Sequence, residues 1–594
     1  MQLTRLDSVV DRGGRRRRGP VVLPFLLSVA ALAAGIFLFN LLRPTVQGTV
    51  VDAYTGQPLA GAALTLGERQ AVTGRDGRFA LDATHGPADL AVAAPDGYAD
   101  GGRALPGGRQ RGLTIALRPD TLGGTITRKG TGQPLAGVQI QAVNADRQAS
   151  TYMETGADGR YLLKDIPEGA RLIVVAAGYA RQELDVGQHT TLDVQLRADV
   201  ISGVVRGPDG QPIAGATVSM TGLATTTQAD GSYTLTGIPD DPHLIVKKSG
   251  YAPQRIDIGA KLREDVTLAP LIVRAVYLTP DAAADDAKFN ALVALADRTE
   301  INAMVIDVKD STGNVFFDSQ TPLARQIGAI HPAYDVHQRL QVLKEHHIYA
   351  IARQVIMQDP HLAAARPDLA IHDTRTGGVW KDAIGVAWLN AMQPGVWQYN
   401  TDLAVEEARL GFDEVQFDYM RFPSDGDLDA IDLGAPNTLA NRTKAIHDFL
   451  ATAHAALSPL GVALGADIFG ISLWDHNDNG IGQQLEDIAP VVDYICPMVY
   501  PSHFAPGSMG YDIPNDHPYD VILKSLQAGQ DRVTDPKLKF RPWLQDFSLG
   551  PGIKYGPDQV RAQIQATYDF GATGWMLWNA DSTFTEAALQ PGQP

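Results

Sequence analysis

A single cysteine, Cys496, stands in 594 residues, which excludes an internal disulfide framework. It lies within "YICPMVY", where a small buried hydrophobe is expected and a nucleophilic thiol is the sharper alternative. Basic residues are scarce as well: 50 Lys and Arg against 67 Asp and Glu leave a net charge of −17. A chain held on nucleic acid by phosphate contacts needs clustered cations, so no nucleic-acid partner is expected. Long apolar runs are missing with one exception. Residues 21–42, "VVLPFLLSVAALAAGIFLFNLL", pass 22 positions without a charge, close behind the basic "RGGRRRRG". Such a run spans a bilayer, and positive charge is retained on the cytoplasmic side. The expectation is a basic cytoplasmic segment (1–20) and a single-pass transmembrane helix (21–42) in the cytoplasmic (inner) membrane, with the bulk of the chain periplasmic. A cleaved signal peptide is the alternative, but "FNLLRP" offers no small-x-small cleavage site.

Internal repeats come next. "VQGTVVDAYTGQPLAGAALTL" (Val46–Leu66), "LGGTITRKGTGQPLAGVQIQAV" (Leu122–Val143) and "ISGVVRGPDGQPIAGATVSM" (Ile201–Met220) share one pattern, followed in turn by "TGRDGRFAL", "TGADGRYLL" and "TQADGSYTL". Short alternating runs bounded by Gly-Gln-Pro and Asp-Gly turn signals predict antiparallel strands, and the interval is that of a domain, too long for a solenoid. Three all-β sandwich domains are expected, over 45–120, 121–198 and 199–270. Their motif, G-x-[VI] … G-Q-P-[LI]-A-G-[AV] … D-G-x-[YF] … G-Y, resembles the carboxypeptidase regulatory-like domain family over about Val46 to Pro270. No titratable cluster recurs. Asp76, Asp158 and Asp230 do recur, but each precedes a turn Gly, where Asp serves the backbone. A stalk is the expected role, with sugar binding as the alternative.

Beyond residue 270 apolar runs alternate with helical segments, the rhythm of a parallel sheet. Eight candidate strands are Ile272–Leu278, Ala303–Lys309, Ile348–Ile356, Glu414–Met420, Ala463–Phe469, Tyr494–Tyr500, Arg541–Phe547 and Gly574–Ala580. They predict a (β/α)8 TIM barrel over 271–594. A doubly wound open sheet competes, but no G-x-G-x-x-G follows a first strand.

The active site of such a barrel lies at the C-terminal ends of its strands. With side chains alternating, Gln416, Asp418 and Met420 of "EVQFDYM" share the inward face, while Phe417 and Tyr419 turn to the helices. The same test gives Asp307 and Lys309, Arg353, Asp467, Tyr500, Gln545 or Asp546, and Asn579. Isolated buried charges are expensive, so their convergence points to a mutually compensated pocket.

Glycosidic cleavage needs two carboxyls, one to protonate the leaving oxygen and one to attack the anomeric carbon or activate water. Asp418 and Asp467 end adjacent strands and form the natural pair. Arg421 or Arg353 is placed to keep Asp418 ionised, and the apolar Ile468 and Phe469 after Asp467 favour its protonated form. A structural ion pair of Asp418 with Arg421 and a helix-capping role for Asp467 are the bland alternatives. Asp307 with Lys309 is either a substrate contact or an internal salt bridge. Strand one lacks the His-x-His of amidohydrolase-type barrels, the remaining histidines lack ligand spacing, and no metal or organic cofactor is expected. His503 in "YPSHF" is a candidate substrate contact. Flat rings suit sugar faces, and at least one of Trp380, Trp388 and Trp578 is expected in the cleft.

"GFDEVQFDYMRFP", "ADIFG", "VDYICPMVYPSHF" and "HPYDVI" resemble a glycoside hydrolase domain family of membrane-anchored and secreted bacterial proteins, over roughly Ile272 to Ala588. The resemblance implies a (β/α)8 polysaccharide hydrolase with Asp418 as nucleophile or base. Many related barrels carry Glu at the end of strand five, where this chain has the shorter Asp467. The combined expectation is a membrane-anchored glycoside hydrolase acting on an extracytoplasmic polysaccharide or cell-envelope glycan. A barrel that binds such a glycan without cutting it, or an envelope tether, is the alternative.

Overall fold

The computed structural model describes residues 43–592 apart from 145, 147–149 and 241. The basic segment and the apolar run 21–42 lie outside the described residues. Among those described, no helix is long and apolar enough to cross a membrane. The chain divides into two compact units, one up to Arg197 and one from Ala198 onward.

The first unit holds the first two repeats. In the first, a three-stranded sheet (Arg78–Asp82, Thr45–Asp52, Gln110–Leu117) faces a four-stranded one (Arg69–Val72, Ala63–Leu66, Ala88–Ala93, Gly101–Leu105) across a shared apolar core. Alternation explains the layering: in Arg78–Asp82, Phe79 and Leu81 are buried while their neighbours are exposed. The second repeat has the same two sheets and its own core. A buried threonine closes each unit in the same way. Thr73 donates to the Leu59 carbonyl and accepts from Ala62 N–H, and Thr155 and Thr227 repeat this with Leu135 and Val138, and with Ile213 and Ala216. The recurring aspartates act on the backbone: Asp76, Asp158 and Asp230 accept from the N–H two residues on.

The second unit joins the third sandwich to a closed barrel of eight parallel strands: β1 Val273–Leu278, β2 Ala303–Lys309, β3 Tyr349–Val355, β4 Glu414–Asp418, β5 Ala463–Phe469, β6 Tyr494–Met498, β7 Trp543–Gln545 and β8 Gly574–Trp578. Closure between β8 and β1 needs glycine at 574, where φ is 135° and a Cβ would sit 1.9 Å from the Val273 carbonyl oxygen. Helices such as Asp286–Arg298, Pro394–Leu410 and Leu439–Leu457 bury one face against the strands.

The third sandwich packs on the N-terminal side of the strands. Lys247 Nζ lies 2.8 Å from Asp493 Oδ2, just before β6, and 3.1 Å from the Val462 carbonyl, just before β5. In the same region, inside the barrel, Glu414 at the start of β4 bonds Arg541 at 2.6 Å with both side chains fully buried. The guanidinium rests 3.6 Å from the centre of the Tyr494 ring. Buried charge is therefore not confined to the barrel mouth.

Candidate active site

Arg353, on β3, is the hub of the mouth. Its Nη1 donates to Asp307 on β2 at 2.6 Å, its Nη2 donates to Asp418 at the end of β4, and its Nε lies 3.8 Å from Asp467 Oδ2 on β5. The last distance is an ion pair too long for a hydrogen bond, so both Arg353 Nε and Asp467 Oδ2 are buried without a hydrogen-bond partner. Tyr277 on β1 donates to Asp307 at 2.5 Å, and Trp543 on β7 donates to Asp467 Oδ1 at 2.8 Å. Trp578, ending β8, stacks on Tyr277 with ring centres 3.9 Å apart and stands 5.3 Å from the Arg353 guanidinium. Seven strands thus contribute to one network, as parallel strands ending on one face require.

A cavity of about 650 Å³ opens above it. Arg353, Asp418, Trp543, Trp578, Tyr500 and His503 line its floor and sides, with Tyr419, Arg421, Phe469, Met498 and Phe504 around them. Asp467 lies just beneath the lining and is 1% exposed. Burial and the neighbouring Asp418 carboxylate push it well above the usual carboxylate range, with Arg353 and the Trp543 hydrogen bond opposing. Asp307 is pushed up by burial, with Arg353 and Tyr277 opposing. Burial lowers His503, which favours its neutral form.

Arg421 does not bond Asp418. Its Nη1 donates to the Phe422 carbonyl and to Ser424, and Arg353 takes the place beside Asp418. Asp467 is not a helix cap either, because the next helical turn begins after Phe469.

Several other expected contacts are displaced from the cavity. The β2–β3 register slips between Asp307 and Lys309, and this bulge turns Lys309 outward, 3.0 Å from Asp359 and bonded to the Val355 carbonyl. Gln416 faces inward below the mouth, with its amide 3.4 Å from Met576 Sδ. Gln545 sits in a second layer, accepting from Ser502 N–H and donating to Asn515. Asp546 is held by Thr585, and Asn579 by the Asp546 carbonyl and the turn after β8. Trp388, like Trp380, is buried away from the cavity, its indole N–H 2.9 Å from Asp382.

Alternation also fails at residue 419. Tyr419 takes φ 51°, its N–H caps Asp418 Oδ1 at 2.6 Å, and it lines the cavity, while Met420 joins the outer core. Tyr277 and Trp543 went unassigned although alternation places both on inward faces: Tyr277 with Val273 and Ala275, Trp543 with Gln545.

Residues 275–584 match the family model described as "Putative glycosyl hydrolase domain", and residues 121–197 and 200–270 each match that of the carboxypeptidase regulatory-like domain. None of the curated proteins matches the chain. Among solved structures, a hypothetical protein from Ruminiclostridium thermocellum is 36% identical, over 32% of this chain and 96% of its own, with a TM-score of 0.30. The PgaB (BpsB) glycoside hydrolase domain from Bordetella bronchiseptica is 14% identical over 52% of this chain and 95% of its own, TM-score 0.40. The catalytic domain of a β-amylase from Paenibacillus polymyxa is 11% identical over 54% and 95%, TM-score 0.34.

Proposed function

The chain belongs to the glycosyl hydrolase family whose model spans residues 275–584, and on that premise we propose that it cleaves an extracytoplasmic polysaccharide by two-carboxylate chemistry at Asp418 and Asp467. The observation that carries this reading is the hydrogen-bonded frame of Asp307, Arg353 and Asp418 under an aromatic-lined cavity, with a second carboxyl from the adjacent strand.

Asp418 lines the cavity and is the group that attacks the anomeric carbon or activates water. Arg353 and the Tyr419 N–H fix its two oxygens. Asp467, pushed up by burial and by Asp418, is the carboxyl of the pair that favours its protonated form and is the donor to the leaving oxygen. Trp578 offers a flat face to a sugar ring, and Trp543, Tyr500 and His503 complete the walls. The basic segment and the apolar run support a barrel held outside the cytoplasmic membrane.

A second reading is glycan binding without cleavage, favoured by the absence of Asp467 from the cavity lining. Incubating the full-length protein with a panel of bacterial exopolysaccharides and peptidoglycan separates the two. The hydrolase reading predicts new reducing ends from at least one member. Binding of a glycan that is never shortened would select the second.

A further inference from the structure

Arg421 is the other guanidinium in the cavity wall, and its surroundings differ from those of Arg353. Three rings enclose it: Trp388 at 4.8 Å, Tyr419 at 5.1 Å and Phe469 at 4.7 Å from ring centre to guanidinium carbon. Only Nη1 is engaged, by the Phe422 carbonyl at 3.0 Å and Ser424 Oγ at 3.2 Å. Among the described residues Nε and Nη2 have no hydrogen-bond partner. The acids nearest, Asp418, Asp425 and Asp382, act on it only through space.

The side chain is nevertheless 6% exposed. Burial outweighs those acids and lowers its proton affinity. The rings attract the cation and hold its plane, but they supply no acceptor for the two remaining donors. Nε and Nη2 together form the side edge of the guanidinium, the edge that a planar carboxylate bridges with two parallel hydrogen bonds.

We propose that Arg421 receives a carboxylate of the substrate, so that the glycan cut in this cavity carries an acidic sugar, such as a uronic acid, in a subsite close to Asp418. The inference rests on the hydrolase reading of the cavity and adds the substrate class. It accounts for a buried cation placed on the cavity wall with Nη1 alone engaged. It also gives Trp388 a role without substrate contact, as one of the rings that hold the guanidinium in place.

The test uses the full-length protein carrying Asp418→Asn, which measures binding without turnover. Glucuronan, polygalacturonate and alginate oligosaccharides are titrated calorimetrically beside their carboxyl-reduced neutral counterparts. At least one acidic oligosaccharide should bind about 10- to 100-fold more tightly than its reduced partner, the scale of one or two charge-assisted hydrogen bonds. Adding Arg421→Met should erase that preference, and Arg421→Lys should keep only part of it, because an ammonium lacks the two-pronged edge.

Equal binding of each acidic and reduced pair, binding of neutral or cationic chains only, no binding to any acidic member, or a preference that survives Arg421→Met would each overturn the proposal. If Arg421→Met does not fold, the acidic and reduced pairs on the Asp418→Asn protein still decide. The parent reading fails separately. Cleavage of neutral glycans alone by the wild type removes the acidic subsite and leaves the hydrolase standing, whereas no cleavage of any glycan removes the hydrolase.

Discussion

Replacing Arg353 by Met withdraws one cation from three buried carboxyls. In the wild type its guanidinium bonds Asp307 at 2.6 Å, bonds Asp418, and lies 3.8 Å from Asp467. Breaking a buried pair from one side costs about 3–5 kcal/mol, because the remaining charge stays buried and unpaired. Two direct pairs fall together here, but contacts sharing one side chain do not add, and the stranded acids take up protons. About 4 kcal/mol is therefore the expected loss near pH 7. The unit from Ala198 onward holds about 400 residues. At roughly 2.1 cal/mol/K of unfolding entropy per residue, the loss lowers Tm by about 5 °C.

The pH dependence fixes the sign. Burial already raises Asp307 and Asp467 with Arg353 in place, and the variant raises them further. A carboxyl whose folded pKa is raised favours the folded state below its ordinary range and costs stability as pH climbs through the raised value. The deficit of Arg353→Met is thus largest at neutral pH and shrinks toward about pH 4. Calorimetric unfolding of the wild type, Arg353→Met and Arg353→Met/Asp307→Asn at both pH values checks this. The double variant, with one stranded charge removed, should unfold above the single variant at pH 7. A single variant as stable as the wild type at pH 7, or a deficit that ignores pH, would refute the reasoning.

Trp543→Phe removes the donor to Asp467 Oδ1 and leaves a buried acceptor unpaired, at a cost of about 1–3 kcal/mol. That hydrogen bond opposes the upward shift of Asp467, so the alkaline limb of the pH–rate profile should move to higher pH. An unmoved limb counts against Asp467 as proton donor. Lys247→Met breaks the buried pair that ties the third sandwich to the barrel, and Tm at neutral pH should fall by about 4 °C. Although burial pushes Asp493 up, Lys247 and His454 hold it well below the usual carboxylate range. Stability from such a lowered carboxyl is present above its ordinary pKa and lost as pH falls through the folded one, so the deficit should narrow in acid. A deficit that widened in acid would contradict this.

The eight barrel strands were legible because parallel strands buried on both faces read as short continuous apolar runs, and the repeats because their turn chemistry recurs three times. The strand-end position of Arg353 followed from alternation and its pairing with Asp418 was one of two expected options, but its pairing with Asp307 and Asp467 was not read, since it depends on where neighbouring strands stop. Two local breaks in backbone geometry hid the rest. The bulge at Lys309 and the left-handed turn at Tyr419 each reverse the face that a period of two assigns, and neither residue type announces such a conformation. Glu414 shows the converse. An acid in a strand marked a buried pair with Arg541 far from the mouth, so charge within a strand identifies a site only when its partners are known.

Cleavage depends most directly on Asp418, and one comparison tests this: binding and cleavage of the same oligosaccharide by the wild type and by Asp418→Asn. The variant should bind within a few-fold of the wild type while release of reducing ends falls by about 10²–10⁴-fold or more. Undiminished release by the variant would contradict it.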